Sequence, residues 1–223
     1  MAVQADRTTE YYARRAEQYE RIYTKPERQA DLALMRSTVA AYFSGRRVLD
    51  VACGTGYWTV EIAATCQEVL GIDINQEMLD IAQTKPYPNN NAHFRRADLY
   101  APVDLGKPFN GGLAAHWWSH IDVDETDTFF NAFHAPLGSG ARVLILDNRF
   151  VTSSSTPISR TDEAGNTFQV RHLDDGTEFE VLKNFPTRKA LLEQLAPYAL
   201  NIDVQMSEYY WWVTYQVRQK LTC

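Results

Sequence analysis

Hydrophobic positions recur first at helical spacing and then in short strand-like runs. Aromatic and small residues repeat every three to four positions over residues 9–23, which predicts an N-terminal helix. A second helix is predicted over 27–43, with apolar residues along one face, and it is followed by Gly45. Glycine commonly follows the last turn of a helix, so the helical part of the pattern ends there.

From residue 47 onward, β-branched runs alternate with helical segments. Such alternation predicts crossover connections and a parallel sheet that helices cover on both faces. The predicted strands are 47–51, 69–73, 92–97, 111–117 and 141–147, and the predicted helices between them are 58–65, 76–84 and 126–135.

The pattern after the fifth strand is different. Residues 167–173 and 178–184 flank an Asp-Gly turn, which predicts a hairpin. A helix over 187–195 and strands over 201–206 and 209–217 follow, and we expect the last two strands to form an antiparallel edge.

The predicted fold class is therefore α/β. We expect a doubly wound, mostly parallel seven-stranded sheet, Rossmann-like, with helices on both faces and an antiparallel C-terminal edge. A length of 223 residues fits one domain. Its expected parts are an N-terminal helical lid (1–45), a core (46–149), a hairpin insertion (150–186), and a C-terminal helix with edge strands (187–223). The insertion either covers a pocket or contacts a second copy of the chain.

Charge and cysteine content narrow the possible partners. With 22 basic and 28 acidic residues the net charge is −6, which argues against nucleic acid as the main substrate. The longest apolar runs, such as 142–146, are too short to span a bilayer, and we expect no membrane partner and no signal peptide. Cys53, Cys66 and Cys223 have neither paired nor metal-type spacing, so we expect reduced thiols and a cytoplasmic protein.

A glycine turn between the first strand and its helix is the main chemical signal. Gly54 and Gly56 allow the backbone to approach a ligand closely, and the following helix begins with free N–H groups. Asp73 ends the second strand, 19 residues after Gly54, where a carboxylate can accept hydrogen bonds from the ribose hydroxyls of an adenosine.

Two residues distinguish between the possible adenosine ligands. A pyrophosphate loop normally has a third glycine, at the position that Thr59 occupies here. Asp50 would repel phosphates, but it suits the ammonium and sulfonium charges of S-adenosylmethionine. The pattern therefore favours the methyl donor over a dinucleotide.

Residues 48–56 (Val-Leu-Asp-Val-Ala-Cys-Gly-Thr-Gly) resemble the first motif of class I methyltransferases. Residues 71–75 resemble the ribose strand of that family, and 96–99 resemble its adenine-contacting motif. The resemblance covers roughly residues 46–147. It implies that Asp98 binds the adenine amino group and that Leu99 supplies a backbone N–H.

The N-terminal helix resembles the lid of small-molecule methyltransferases, in which a tyrosine covers the cofactor. Tyr19 is our candidate for that tyrosine, although an ordinary amphipathic helix fits the same pattern. Taken together, the expected cofactor contacts are Tyr19, Asp50, Ala52, Cys53, Gly54, Thr55, Gly56, Asp73, Ile74, Asp98, Leu99 and His116.

We expect the acceptor to lie beyond the carboxyl ends of the fourth and fifth strands, where doubly wound sheets bind ligands. Aromatic rings beside a sulfonium gain about 0.5–2 kcal/mol, although the tryptophans there could instead pack helix against sheet. Arg149 and Arg171 could meet an anionic or carbonyl-rich acceptor, or they could be solvated. The expected acceptor contacts are Tyr11, Trp117, Trp118, Asn148 and Arg149.

His120 is the candidate general base, because its unperturbed pKa lies near neutrality. Many methyl transfers need no base, since alignment in a dry pocket supplies much of the acceleration. Catechol-type methyltransferases bind Mg²⁺ with an acid after strand four and an Asp-Asn pair after strand five. Asp147 and Asn148 match the pair, but residues 113–117 contain no acid, so we expect no metal.

These observations predict methyl transfer from S-adenosylmethionine to an N or O atom of a small metabolite. The 12% aromatic content, with Trp117, Trp118, Trp211 and Trp212, suggests an aromatic or heteroaromatic acceptor. The alternatives are a methyltransferase acting on protein or RNA, a non-catalytic cofactor-binding module, and a nicotinamide oxidoreductase. We expect a monomer or homodimer, and the identity of the acceptor stays open.

Overall fold

A computed structural model describes residues 2–101 and 103–218 of the protein; Cys223 lies outside the described residues. The helices are α1 (Ala2–Arg15), α2 (Gln29–Tyr42), α3 (Tyr57–Ala63), α4 (Gln76–Gln83), α5 (Thr126–His134) and α6 (Arg188–Leu195). The strands are β1 (Arg47–Val51), β2 (Glu68–Asp73), β3 (Ala92–Arg96), β4 (Phe109–Ala115), β5 (Leu137–Asn148), β6 (Arg160–Thr161), β7 (Thr167–His172), β8 (Glu178–Leu182), β9 (Ala199–Met206) and β10 (Tyr210–Val217).

Seven of these strands form one sheet, in the order β3-β2-β1-β4-β5-β10-β9. The first five are parallel, whereas β10 runs antiparallel to both β5 and β9. The central strands are buried on both faces, as their nearly continuous hydrophobic sequences require. The predicted fold class is thus confirmed, including its antiparallel C-terminal edge. None of the described helices is long and apolar enough to cross a membrane.

The N-terminal segment differs from the single helix predicted over 9–23. The α-helix ends at Arg15, and residues 16–23 continue as a 3₁₀ helix. Tyr23 in this tighter segment stacks on Tyr57, with ring centroids 3.7 Å apart. Tertiary packing of the tyrosines therefore overrides the regular 3.6-residue spacing that the sequence pattern suggested.

The insertion between β5 and α6 forms a second sheet, with strand order β6-β7-β8. The predicted hairpin is its β7–β8 pair, and the two-residue β6 was not predicted. Tyr11 of α1 packs against Phe179 of β8, with ring centroids 5.6 Å apart, and Val181 completes this small apolar cluster. The insertion and α1 therefore pack on each other; we call these two parts the cover.

A buried ion pair fastens the cover to the main sheet. Lys183 follows β8, and its Nζ lies 3.0 Å from Oδ1 of Asp147 near the end of β5. The other carboxylate oxygen, Oδ2, accepts hydrogen bonds from the backbone N–H and hydroxyl of Ser119, at 3.0 and 2.7 Å. Burial opposes ionisation, but the positive charge of Lys183 holds the pKa of Asp147 well below its usual range. Asp147 is therefore an ionised carboxylate inside the protein.

Replacing Lys183 with methionine is expected to lower the free energy of unfolding by about 3–5 kcal/mol, because Asp147 would stay buried without its counter-charge. In the variant, burial raises the folded-state pKa of Asp147, so protonation stabilises the folded state. The stability deficit should therefore shrink as the pH falls toward about 4, the usual pKa of an aspartate in the unfolded chain. Urea denaturation at several pH values measures both effects.

Lys189→Met is the matched control, because Lys189 is exposed and its i,i+4 ion pair with Glu193, at 3.7 Å, lies on the surface. We expect a change within about 0.5 kcal/mol. A Lys183→Met protein as stable as this control would contradict the structural role of the ion pair.

Candidate active site

A cavity of about 370 Å³ lies at the carboxyl ends of the central strands. We call it the first cavity. Among the described residues, its charged lining residues are all acidic, namely Asp73, Asp98, Asp122 and Glu125, and neither lysine nor arginine lines it. Of the residues predicted to contact the cofactor, eight line this cavity: Tyr19, Ala52, Gly54, Asp73, Ile74, Asp98, Leu99 and His116.

The glycine loop and Asp73 form one connected wall of the first cavity. The Gly54 N–H donates to Oδ2 of Asp73 at 2.9 Å, and the Asn75 N–H donates to Oδ1 at 2.9 Å. Gly54 has a φ of +55°, and a Cβ built on it would point toward the Tyr19 ring, 3.8 Å away. The backbone here is therefore left open toward the cavity, with a tyrosine opposite it. Burial raises the pKa of the Asp73 carboxyl.

Asp50 lies behind the loop and does not line the cavity. Its Oδ2 accepts a hydrogen bond from the Thr59 hydroxyl at 2.6 Å. The Asp50 side chain is buried, which raises its pKa to about 7. Direct contact with a cofactor cation, as the sequence suggested, therefore does not fit this placement. Thr59, which distinguished the loop from a pyrophosphate loop, instead ties α3 to the end of β1.

Cys53, Thr55 and Gly56 also lie outside the cavity lining, contrary to the expected direct contacts. The Cys53 N–H donates to the carbonyl of Ile72 at 3.0 Å, and the Thr55 hydroxyl donates to Glu20 at 2.7 Å. Gly56 packs against α4, where an added Cβ would lie 2.6 Å from the Tyr87 hydroxyl. These residues support the loop on the side that faces away from the cavity.

A second cavity of about 100 Å³ adjoins the first. Tyr12, Tyr19 and His116 line both cavities, so the two spaces meet at these side chains. The cover contributes part of the lining of each cavity, so the insertion lies over a pocket of this chain. In contrast to the first cavity, every charged lining residue of the second is basic: Arg15, Lys25, Arg28, Arg171 and Lys183.

His120 lines the first cavity, but both of its ring nitrogens are engaged. Nδ1 lies 2.7 Å from the carbonyl of Leu182, which can only accept, so Nδ1 carries the proton. Nε2 therefore accepts a hydrogen bond from the Tyr12 hydroxyl at 2.8 Å. Burial, reinforced by the charge of Lys183, lowers the pKa of His120 to about 3. A general base near neutrality does not fit this environment; His120 instead orients Tyr12.

His116 stands where the two cavities meet. Its backbone has a φ of +59°, a conformation that side-chain-bearing residues rarely adopt, and its ring is buried. The side-chain amide of Asn148 lies 3.2 Å from Nδ1 of the ring. Burial lowers the pKa of this histidine as well. Strained backbone of this kind often occurs at functional sites.

Of the five residues expected to contact the acceptor, the structure places two in the lining of a cavity and three elsewhere. Trp117 lines the first cavity and Asn148 the second. The other three line neither. Tyr11 packs within the cover, and Trp118 packs against Trp211 in the core with ring centroids 5.8 Å apart. Arg149 donates to the backbone carbonyl of Ser207. The side chains of Tyr11 and Trp118 thus serve packing, and that of Arg149 holds the end of β5 to the turn between β9 and β10.

Sequence reasoning missed several residues that line the second cavity. Lys183 carried no local motif, and Tyr12, Lys25 and Arg28 were not among the expected cofactor or acceptor contacts. Arg171 was considered, and the structure places it in the lining. The Asp147–Asn148 pair does not resemble a metal site, because Asp147 is bound by Ser119 and Lys183. Within residues 2–101 and 103–218, no group of His, Cys, Asp or Glu is arranged to hold a metal ion.

The first cavity fits an adenosine-bearing cation. It offers a buried strand-end carboxylate, an exposed second carboxylate at Asp98, and an open backbone at Gly54. In the part of the chain that the structure describes, no lysine or arginine lines it to bind a phosphate. These groups suit S-adenosylmethionine, which carries positive charge and no phosphate.

Comparison with known proteins agrees with this geometry. Residues 48–140 match a family model described as a methyltransferase domain. Magnesium-protoporphyrin O-methyltransferase of Rhodobacter capsulatus is 34% identical over 73 residues, which are 32% of this chain and 33% of that protein. The chain thus matches about a third of the length of this relative.

Two solved structures share the fold. The complex of DhpI with SAH superposes with a TM-score of 0.80 at 23% identity, over 99% of this chain and 100% of that one. The Burkholderia thailandensis 1,6-didemethyltoxoflavin-N1-methyltransferase, with bound 1,6-didemethyltoxoflavin and S-adenosylhomocysteine, gives 0.63 at 15% identity, covering 96% and 89% of the two chains. The domain match over residues 48–140, the motif and the fold agree with one another, and together they support a class I S-adenosylmethionine-dependent methyltransferase.

Proposed function

We propose that the protein transfers a methyl group from S-adenosylmethionine to an N or O atom of a small molecule. The observation that carries this proposal is the pair of cavities of opposite charge that meet at Tyr12, Tyr19 and His116. The acidic first cavity suits the cationic cofactor, and the second cavity leaves space for an acceptor next to it.

In this proposal each wall of the first cavity has a separate task. Asp73 accepts hydrogen bonds from the ribose hydroxyls, while Asp98 and the backbone of Leu99 contact the adenine. Ala52 and Gly54 present backbone to the amino-acid portion, and Tyr19 covers it from the opposite side. Ile74 and His116 complete the lining.

S-adenosylmethionine supplies an electrophilic methyl group on a positively charged sulfur. The chain itself contributes alignment and exclusion of water. Tyr12 and Tyr19 stand between the cavities, and the hydrogen bonds from Tyr12 to His120 and from His120 to Leu182 fix the phenol in place. Holding donor and acceptor in one dry geometry supplies much of the acceleration of such a transfer.

A small acceptor is favoured over protein or RNA. The second cavity has a volume of only about 100 Å³ and lies under the cover, and its basic residues face this interior space. The expectation of an aromatic acceptor loses its basis, because Trp118, Trp211 and Trp212 are buried in the core and Trp117 alone of the four lines a cavity. We therefore propose a small-molecule acceptor without requiring an aromatic ring.

Calorimetric titration tests the cofactor part of the proposal. We expect S-adenosylhomocysteine to bind the full chain and NAD to give no heat of binding, because the first cavity lacks a basic group for a pyrophosphate. The protein should also move label from methyl-labelled S-adenosylmethionine into the low-molecular-weight fraction of a metabolite extract. Label found only in protein or RNA, or binding without any transfer, would support one of the alternatives instead.

Asp73→Ala is expected to weaken S-adenosylhomocysteine binding about tenfold to hundredfold, the usual value of hydrogen bonds to a charged group. The loss combines the ribose contacts with the hydrogen bond that fixes Gly54. Asp80→Ala is the matched control, because Asp80 is an exposed acid on α4 that bonds only to Gln76 in its own helix. Equal affinities of the two variants would refute the ribose assignment.

A further inference from the structure

The second cavity collects positive charge with little to compensate for it. Among the described residues, only Lys183 of its five cations forms an ion pair, with Asp147. The others donate to neutral oxygens. Arg28 bonds to the Asn148 amide and the Ser154 hydroxyl, both at 3.0 Å, and Arg171 bonds to the Thr156 hydroxyl at 2.8 Å.

The burial of these cations makes their lack of counter-charges significant. Arg28 is only 6% exposed, and a buried charge is costly unless an opposite charge accompanies it. Burial and the positive charge of Arg28 lower the pKa of Lys25, as expected where cations crowd together. Glu27 interacts electrostatically with Lys25 and Arg28, but it does not line the cavity; its side chain is exposed and accepts a hydrogen bond from Ser154 at 2.7 Å. The cavity is therefore suited to an anion.

Burial weakens both histidines that line the described part of this site as bases. His120 has a pKa of about 3, and its Nε2 is already bonded to Tyr12. Burial also lowers the pKa of His116. A neutral alcohol or a protonated amine must lose a proton on methylation, whereas an ionised oxygen has none to lose.

We propose that the acceptor is a small oxyanion, and that Arg15, Lys25, Arg28 and Arg171 hold its charge in the second cavity while one ionised oxygen takes the methyl group. This inference rests on the proposed function and specifies its acceptor. Carboxylates and phosphate-type groups share the required chemistry, since each has one oxygen for the basic residues and another for the transfer.

The reaction balances without an added base. The ionised oxygen attacks the methyl carbon, a C–O bond forms, and the C–S bond breaks with its electron pair staying on sulfur. No proton is released, one negative charge of the acceptor is lost, and the sulfur becomes neutral. Opposite charges therefore cancel as the reaction proceeds, which a cavity shielded from water favours.

Direct binding tests this proposal independently of turnover. Inorganic phosphate and acetate are titrated separately into the full chain saturated with S-adenosylhomocysteine. At least one of them should bind, and Arg171→Met should weaken that binding about tenfold or more, because it removes a bidentate donor. Arg171→Lys should restore part of it. Arg160→Met is the matched control, because Arg160 lies in the same small sheet but is exposed and paired with Glu180.

Affinity for S-adenosylhomocysteine should be the same in all these proteins. Failure of the wild type to bind S-adenosylhomocysteine would refute the proposed function itself. Normal S-adenosylhomocysteine binding with no binding of either anion, or with equal anion binding by Arg171→Met and Arg160→Met, would refute only the oxyanion proposal.

Turnover assays on small carboxylates, alkyl phosphates, alcohols and amines then distinguish the sources. A carboxylate acceptor gives a methyl ester that releases methanol in mild alkali, whereas a phosphate-type acceptor gives a methylated diester that resists it. For either, a weakly buffered assay at about pH 8, well above the second pKa of an alkyl phosphate (about 6), should show no proton released per methyl transferred. A preference for neutral alcohols or amines, with one proton released per transfer, would overturn the proposal.

Discussion

The carboxylate of Asp147 is the point on which the arrangement of the site depends. It is fully buried near the end of β5, and its two oxygens hold Lys183 from the cover and Ser119 from the segment after β4. A buried charge is tolerated only when its partners are in place. Forming the main sheet therefore fixes where the insertion attaches, and the same contacts place His116, His120 and Asn148 around the junction of the two cavities.

The two cavities carry opposite charge because different parts of the chain line them. The first cavity is lined by the acids that follow the strands of the main sheet, whereas the second takes its cations mainly from the N-terminal segment and the insertion. A positive donor and a negative acceptor would each find the opposite charge. Between them stand neutral groups, with Tyr12 held by His120 and His116 held in a buried, strained position. The site thus attracts both partners but leaves the region between them low in charge.

The sequence was most informative where the relevant residues are close along the chain. The strand–glycine–helix turn and the acid at Asp73 predicted the sheet, the family and most of the first cavity, because these features repeat with the βαβ unit. Asp50 was placed on the wrong side of the loop, since only the three-dimensional packing shows that Thr59 binds it. His120 suited a base only as long as its pKa was unperturbed.

The second cavity could not have been predicted in this way. Arg28, Arg171 and Lys183 come from distant segments that meet only when the insertion folds onto α1. The expectation of an aromatic acceptor came from the number of tryptophans, but a count of aromatic residues does not show which face of a strand is buried. Trp211 lies in β10 and packs into the core.

The cover has a consequence for how such an enzyme can diversify. In the proposed function, cofactor contacts come mostly from the central part of the chain, whereas acceptor contacts come largely from the segments before β1 and after β5. Substitutions or length changes in residues 150–186 that keep Lys183 in place would therefore alter which molecule is methylated without disturbing the glycine loop or its acids. In this proposal the residues that bind the donor and the residues that select the acceptor lie in different parts of the chain, so selection can act on each set alone.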